Sequence, residues 1–530
     1  MKRAPPLLLG LALIAGAALA QAAPGSPIRK RTAYEDLQMF SQVLNQIRVN
    51  HPDSIDTHDL FMAAVTGMVH AADPHSYVLP ATRLVPEKEE AVRAGRLYPV
   101  PISFAFYGGS PVVVSVAPGS AAARLDILPG DELMASDSQP IQAESAEELE
   151  IGLAGPKGST VALRFERRRL DGSLVTLERT VSRERVDEET AVPTAFMLRP
   201  EIGYIRLTTF ANDKAADDLH AALGRLERLG MRRLILDLRD NGGGSVDEAA
   251  RVAGEFLPKG AVVYTQETRK KAEGDKDTVR VSRSFWKHEK RYPLIVMINS
   301  GTASASELVA GALQDHDRAI IVGRPSFGKA LLMRGLPLTD GSLIMLVVGH
   351  VVTPCGRVIQ RQYRGITRRD YFRLARAERD TAGRPSCKTD GGRTVYGGGG
   401  IYPDVVLSEP EPAPLWLERA REDDLPLKWI GGYVSSAGAS LPSLDSLAAH
   451  PALPAAALES FRTFAKAQGD VIPPDADDRL QRVLTRSFAL AKWGEEGFYR
   501  VVAASDPAVT TAAQQFDRAS AILTATKEPD

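Results

Sequence analysis

The chain has 530 residues, 44% of them apolar and 25% charged, with a formal net charge of −1. This is the balance of a globular protein with sizeable cores, and the length suits about three or four domains. A charge so near zero excludes a general attraction to nucleic acid or to an anionic membrane.

The first twenty residues stand apart. Lys2 and Arg3 precede an apolar, Leu/Ala-rich run that ends in Ala18-Leu19-Ala20. A basic start, an apolar centre and small residues at the end predict a secretory signal peptide cleaved near Ala20. The run is short for a spanning helix, which needs about 20 residues. The mature protein is therefore expected in the periplasm or otherwise exported. Cys355 and Cys387 are the only cysteines. They could pair in an oxidising compartment, but they are too few for a disulfide framework or a structural zinc site.

After a Pro/Gly/Ser linker, residues 31–96 read as a small helical domain. Leu37, Phe40, Val43, Leu44 and Ile47 recur at three- and four-residue steps, and Leu60, Ala63, Ala64, Met68 and Val69 do so again. "ADPHSYVLP" then breaks the pattern. Residues 97–186 change to short β runs: "ISFAF", "PVVVSVAP", "DELMAS", "STVALRFERRR" and "SLVTLERTV". Pro129-Gly130-Asp131 supplies the chemistry of a tight turn. The stretch "PGSAAARL…ILPGDEL" resembles a PDZ domain, which takes an extended peptide as an added strand. The loop before the first strand reads "YPVPISF". Its two prolines lack N–H groups, so it suits carboxylate capture poorly, while strand addition remains open. The plainer reading is a β-rich spacer.

Residues 187–410 alternate strands and helices, "IGYIRLTTF", "RRLILDLRD", "PLIVMINS" and "RAIIVG" being the strands. That predicts an α/β layered core. Residues 411–530 carry Pro-rich breaks and amphipathic patterns and predict a C-terminal helical domain. The fold class expected is therefore α/β multidomain, with a helical N-terminal domain, a PDZ-like β-rich domain, an α/β core and a helical C-terminal domain.

Ser304 begins Ser-x-x-Glu before an apolar helical face. On pattern alone this is a capping box, and Ser304 simply caps a helix. A serine there also sits beside free N–H groups and the positive dipole end, which would steady an oxyanion. A nucleophilic serine needs a base. His316, twelve residues along the same helix, lies about 18 Å away and cannot serve. Spacing does not eliminate His350. Lys329, the only lysine between Lys290 and Lys388, has apolar neighbours, and burial lowers a lysine's pKa. The plainer reading is a surface lysine at a strand start. "GRPSFGK" also matches a phosphate-binding loop, but Ala330 replaces the Ser/Thr and "ALLMRGLPL" reads as a strand, so nucleotide binding is rejected. "LRDNGGGSVDEAA" places glycines between a strand and a helix, where a second oxyanion donor is expected near Gly243.

Taken together and in order, "ADPHSYVL", the PDZ-like block, "LDLRDNGGG", "GTASASELVAGALQDH", "VGRPSFGKA", "TPCGRVIQ" and "GGGGIYPDV" resemble the carboxyl-terminal processing proteases of the S41 peptidase family. The resemblance covers most of residues 31–410. It implies Ser304 as nucleophile, Lys329 as general base, the amides of Ala305 and Gly243 as oxyanion donors, and no metal or other cofactor. It departs at Met333, where the family usually has a glutamine that orients the lysine amine. A thioether accepts only weakly. The implied partners are polypeptides with accessible C-termini. An adaptor or regulatory protein and a homo-oligomer are left open. The alternative is a scaffold that binds peptides and cannot cut them.

Overall fold

The computed structural model describes residues 32–79, 86–106, 110–117, 120–143, 145–184, 190–269, 276–282, 289–377, 380–409, 411–437 and 441–525. The expected signal peptide lies outside these residues. The chain forms two units, Met1–Ala71 and Ala72–Asp530.

In the first unit the described residues form a helix Ala33–Asn50 and most of a second, Thr57–Ala72. The first is started by a capping box, with Thr32 and Glu35 bonding each other's N–H groups at 2.9 and 3.3 Å. Its apolar periodicity makes the helix, yet none of its residues is buried, and Leu37 and Val43 are 64% and 53% exposed.

The second unit contains the predicted β-rich block. Strands Ile102–Phe106, Pro111–Val116, Glu132–Ser136, Thr160–Arg168 and Leu174–Ser182 pair antiparallel in that order, with Gln139–Pro140 beside the third. In Thr160–Arg168, Val161, Leu163 and Phe165 face inward while their neighbours face out, as a period of two dictates. The Pro129-Gly130-Asp131 turn is pinned by Asp131, buried and bonded to Arg167 Nε at 2.7 Å. At Gly130 a Cβ would meet Leu427 O at 2.4 Å, so only glycine fits that approach.

The α/β core is a six-stranded sheet. In chain order its strands are β1 (Thr194–Arg199), β2 (Ile202–Arg206), β3 (Arg233–Asp237), β4 (Leu294–Ile298), β5 (Ile320–Gly323) and β6 (Val405–Val406), lying in the order β6-β5-β4-β3-β2-β1. β2 to β6 are parallel, and β1 is an antiparallel edge. Parallel strands covered on both faces read as unbroken apolar runs, which explains "LILD" and "LIVMI". One face packs on α1 (Ala215–Arg228), α2 (Val246–Gly254) and α3 (Ala305–Asp315), through residues such as Leu219, Val252 and Leu308. The other face, Ile235, Ile295, Met297 and Val322, packs on Val509, Ala512 and Phe516. The last helices of the chain therefore serve as a layer of the core sheet.

A second, antiparallel sheet joins Tyr77–Leu79, Val262–Arg269, Lys276–Ser282, Leu331–Pro337 and Leu343–Val352. "LLMRGLP" is thus a strand, as the rejection of a phosphate-binding loop requires. Cys355 and Cys387 are disulfide-bonded, with Cα atoms 6.1 Å apart.

Candidate active site

Ser304 stands at the N-terminus of α3 with φ 57° and ψ −118°. A non-glycine residue rarely adopts that backbone, and it costs about 1–3 kcal/mol wherever it persists. What enforces it is Glu307, one turn into the helix and wholly buried. Its Oε2 accepts the Ser304 N–H at 2.9 Å, while the Glu307 N–H goes to the Ser304 carbonyl.

Glu307 does more than the sequence pattern suggested. The same Oε2 accepts the Lys329 N–H at 2.8 Å, and Oε1 accepts the Gly328 N–H at 2.7 Å and the Ser326 hydroxyl. One carboxylate therefore ties the serine turn to the lysine segment. Burial pushes its carboxyl up, and the four donors work against that shift.

Lys329 is half-buried in a segment that belongs to no strand, since its strand begins at Leu331. Burial lowers its pKa, and the carboxylates of Glu307 and Asp73 oppose this. Asp73 comes from the "ADPHS" turn, where its Oδ1 accepts the N–H groups of His75 and Ser76 at 2.8 and 2.7 Å. The Ser76 hydroxyl in turn accepts the Val347 N–H at 3.0 Å.

The glycine turn after β3 closes on the serine. A Cβ on Gly243 (φ 97°) would lie 2.7 Å from Ala303 O, 2.8 Å from Ala305 N and 2.8 Å from Ser304 Cβ. The Asn241 carbonyl fastens the turn by accepting from Ala303 N and Ser306 Oγ, both at 3.0 Å. Of the two expected oxyanion donors, the Ala305 N–H makes no hydrogen bond among the described residues. The Gly243 N–H donates to Asn241 Oδ1 at 3.0 Å. Behind the turn, the buried Asp237 takes Arg206 at 2.8 Å, Arg239 at 2.6 Å and the Tyr204 hydroxyl at 2.6 Å. Arg239 reaches Asp506 at 2.6 Å.

Met333 is half-buried in Leu331–Pro337, just past a bulge and opposite Val347. His316 is spent on Asp390 at 2.7 Å and on the Val262 carbonyl at 2.7 Å. His350 is exposed, opposite Leu331. Sequence reasoning did not single out Glu307 as a clamp. It also missed His75, Gln360 and Tyr371, which lie against the lysine segment. Only the "ADPHS" and "RVIQ" stretches hinted at two of them.

A family model described as Peptidase family S41 matches residues 201–369, which include Gly243, Ser304, Ala305, Lys329 and Met333. The class is therefore that of a peptidase. A carboxy-terminal-processing protease of Bartonella bacilliformis is 30% identical over 336 residues, covering 62% of this chain and 74% of that relative. The chain belongs to the S41 family of carboxy-terminal-processing peptidases. A chloroplastic carboxyl-terminal-processing peptidase 2 of Arabidopsis thaliana is 37% identical over 251 residues, 46% of each chain. The chain thus matches about half the length of that plant relative. Among solved structures, a photosystem II D1 C-terminal processing protease aligns over 73% of this chain and 89% of its own, at 24% identity and a TM-score of 0.35.

Proposed function

We propose that this peptidase is an exported serine endopeptidase that cuts polypeptides near their C-termini with Ser304 and Lys329. The observation that carries the reading is the shared acceptor Glu307 Oε2, which holds the N–H groups of both residues. The strained Ser304 backbone and the lowered Lys329 pKa agree with it.

Neutral Lys329 takes the proton of the Ser304 hydroxyl as Oγ attacks the scissile carbonyl. The oxyanion that forms is met by the Ala305 N–H, and by the Gly243 N–H once it leaves Asn241 Oδ1. Lys329 then gives its proton to the departing amine, so the peptide C–N bond breaks and an acyl-serine remains. Water, deprotonated by Lys329, hydrolyses that ester and restores the serine. No step calls for a metal.

Residues 97–186 would guide the substrate by strand addition along the edge strand Ile102–Phe106. Carboxylate capture in the preceding loop fits poorly. The Tyr98 N–H is used on the Gly155 carbonyl at 2.8 Å, and residues 99 and 101 are proline. Export rests on the first twenty residues. No helix among the described residues is long and apolar enough to cross a membrane.

The scaffold reading is favoured by two observations, the thioether at Met333 and the engaged Gly243 N–H. Comparing the C-termini of exported proteins in cells with intact Ser304 and with Ser304→Ala separates the two. Tails that lengthen in the variant support the peptidase, and unchanged tails support the scaffold.

A further inference from the structure

The lysine segment hangs on side chains rather than on a strand ladder. Three successive N–H groups, of Gly328, Lys329 and Ala330, end on side-chain oxygens. Glu307 takes the first two. The third goes to Gln360 Oε1 at 2.9 Å. Gln360 is 9% exposed, and its Nε2 donates to the Arg361 carbonyl at 2.9 Å and to the Tyr371 hydroxyl at 3.1 Å.

Tyr371 is fully buried on the helix α4 (Arg368–Ala377). Its hydroxyl lies 2.7 Å from His75 Nε2 and 3.5 Å from the Gly328 carbonyl. The rings of His75 and Phe327 each stand edge-on to Tyr371, with centroids 5.0 and 6.0 Å away. A glutamine and a tyrosine eleven residues apart, and a histidine 296 residues from that tyrosine, thus converge on residues 327–330. Meanwhile the position four after the lysine offers only a thioether.

We propose that Gln360 and Tyr371, anchored by His75, are positioning residues for Lys329: Gln360 holds the adjoining Ala330 N–H, and Tyr371 holds Gln360. With His75 neutral, the single Tyr371 hydrogen goes to His75 Nε2, and the Tyr371 oxygen accepts from Gln360. Burial, followed by the nearby Lys329 charge, lowers the His75 pKa to about 4, which keeps the ring neutral. Among the described residues, the charged groups acting on His75 and Tyr371 are Lys329, Asp73, Arg368, Glu307 and Arg361. Loosening the segment would let water reach the Lys329 amine, raise its pKa and weaken it as a base at neutral pH.

This inference rests on the Ser304–Lys329 reading, and the experiment tells the two apart. A fluorophosphonate probe is reacted with the full-length protein from pH 5 to 10, and the second-order rate of labelling at Ser304 is followed by mass spectrometry. Tyr371→Phe and Gln360→Leu are compared with wild type, and Tyr363→Phe is the control. We expect labelling at pH 7 to fall about tenfold and the midpoint of the rate profile to move about one unit towards alkaline pH. Tyr363→Phe keeps the wild-type profile. Tyr371→Phe removes one oxygen and no ring, so it tests the proposal even if Gln360→Leu does not fold. A wild-type profile in Tyr371→Phe, or a loss of thermal stability without a shift, overturns the positioning role. A wild-type protein that never labels at Ser304 overturns the peptidase reading instead.

Discussion

Ser304 and Lys329, 25 residues apart in sequence, donate their backbone N–H groups to the same oxygen, Glu307 Oε2, at 2.9 and 2.8 Å. The helix start and the lysine segment are therefore one assembly, and moving either displaces the other.

Glu307→Gln should break that assembly. A glutamine keeps one acceptor oxygen but turns an NH2 group towards donors that have nowhere else to go. Leaving buried N–H groups unpaired costs about 1–3 kcal/mol each. Denaturant unfolding should show a loss of about 2–4 kcal/mol. Peptide turnover should fall by about 100-fold, as expected for a misplacement of about 1 Å.

Gly243→Ala is predicted to be nearly inactive. The added Cβ would press on Ala303 O, Ala305 N and Ser304 Cβ at 2.7–2.8 Å, in a backbone conformation of φ 97° that alanine resists. Activity should drop by about 10²–10³, the scale of a lost oxyanion donor. Gly152→Ala, with nothing within 4 Å of the new atom and a helical position, should be neutral or slightly stabilising. Steady-state cleavage and thermal melts of both variants check the contrast.

The proposed role of Lys329 fixes a pH dependence of cleavage. In the proposed dyad the base form is the active one, so the rate should rise with pH and level off once Lys329 is neutral. Because burial holds the Lys329 pKa below 10.5, the plateau should be reached at lower pH than an ordinary lysine allows. A kcat/KM profile whose rising limb is centred above 10.5 would contradict this assignment.

Stability should respond to acid through His75. Its folded pKa is about 4 against 6.5 when unfolded, so between these values the unfolded chain binds the proton and the folded one does not. Stability is then lost as pH falls from 6.5 to about 4, by up to about 3 kcal/mol for that one group. His75→Gln should flatten this part of the stability curve in denaturant titrations.

Local patterns in the sequence revealed much of this fold. "STVALRFERRR" reads as a short β run, and the alternation of "RRLILDLRD" and its fellow strands with helices reads as an α/β layered core. The strand start after Lys329 and the helix start at Ser304 were equally plain, because each depends on neighbours a few residues away. Long-range relations were not legible. Tyr371 sits in an Arg-rich stretch, and its partner His75 is 296 residues distant. Glu307 could be seen as a cap, but its bonds to residues 326–329 depend on how two sheets approach each other. The C-terminal helices advertised an apolar face without saying that it covers Ile235 and Met297. Apolar spacing likewise made the Ala33–Asn50 helix but did not bury it.

The most direct test is chemical labelling of the serine. A fluorophosphonate probe applied to the wild-type protein at mildly alkaline pH should modify Ser304 within the peptide bearing "TASASE", and Lys329→Ala should abolish the modification while the protein stays folded. Equal labelling of Ser304 with and without the Lys329 amine, or labelling at another serine only, would contradict the dyad.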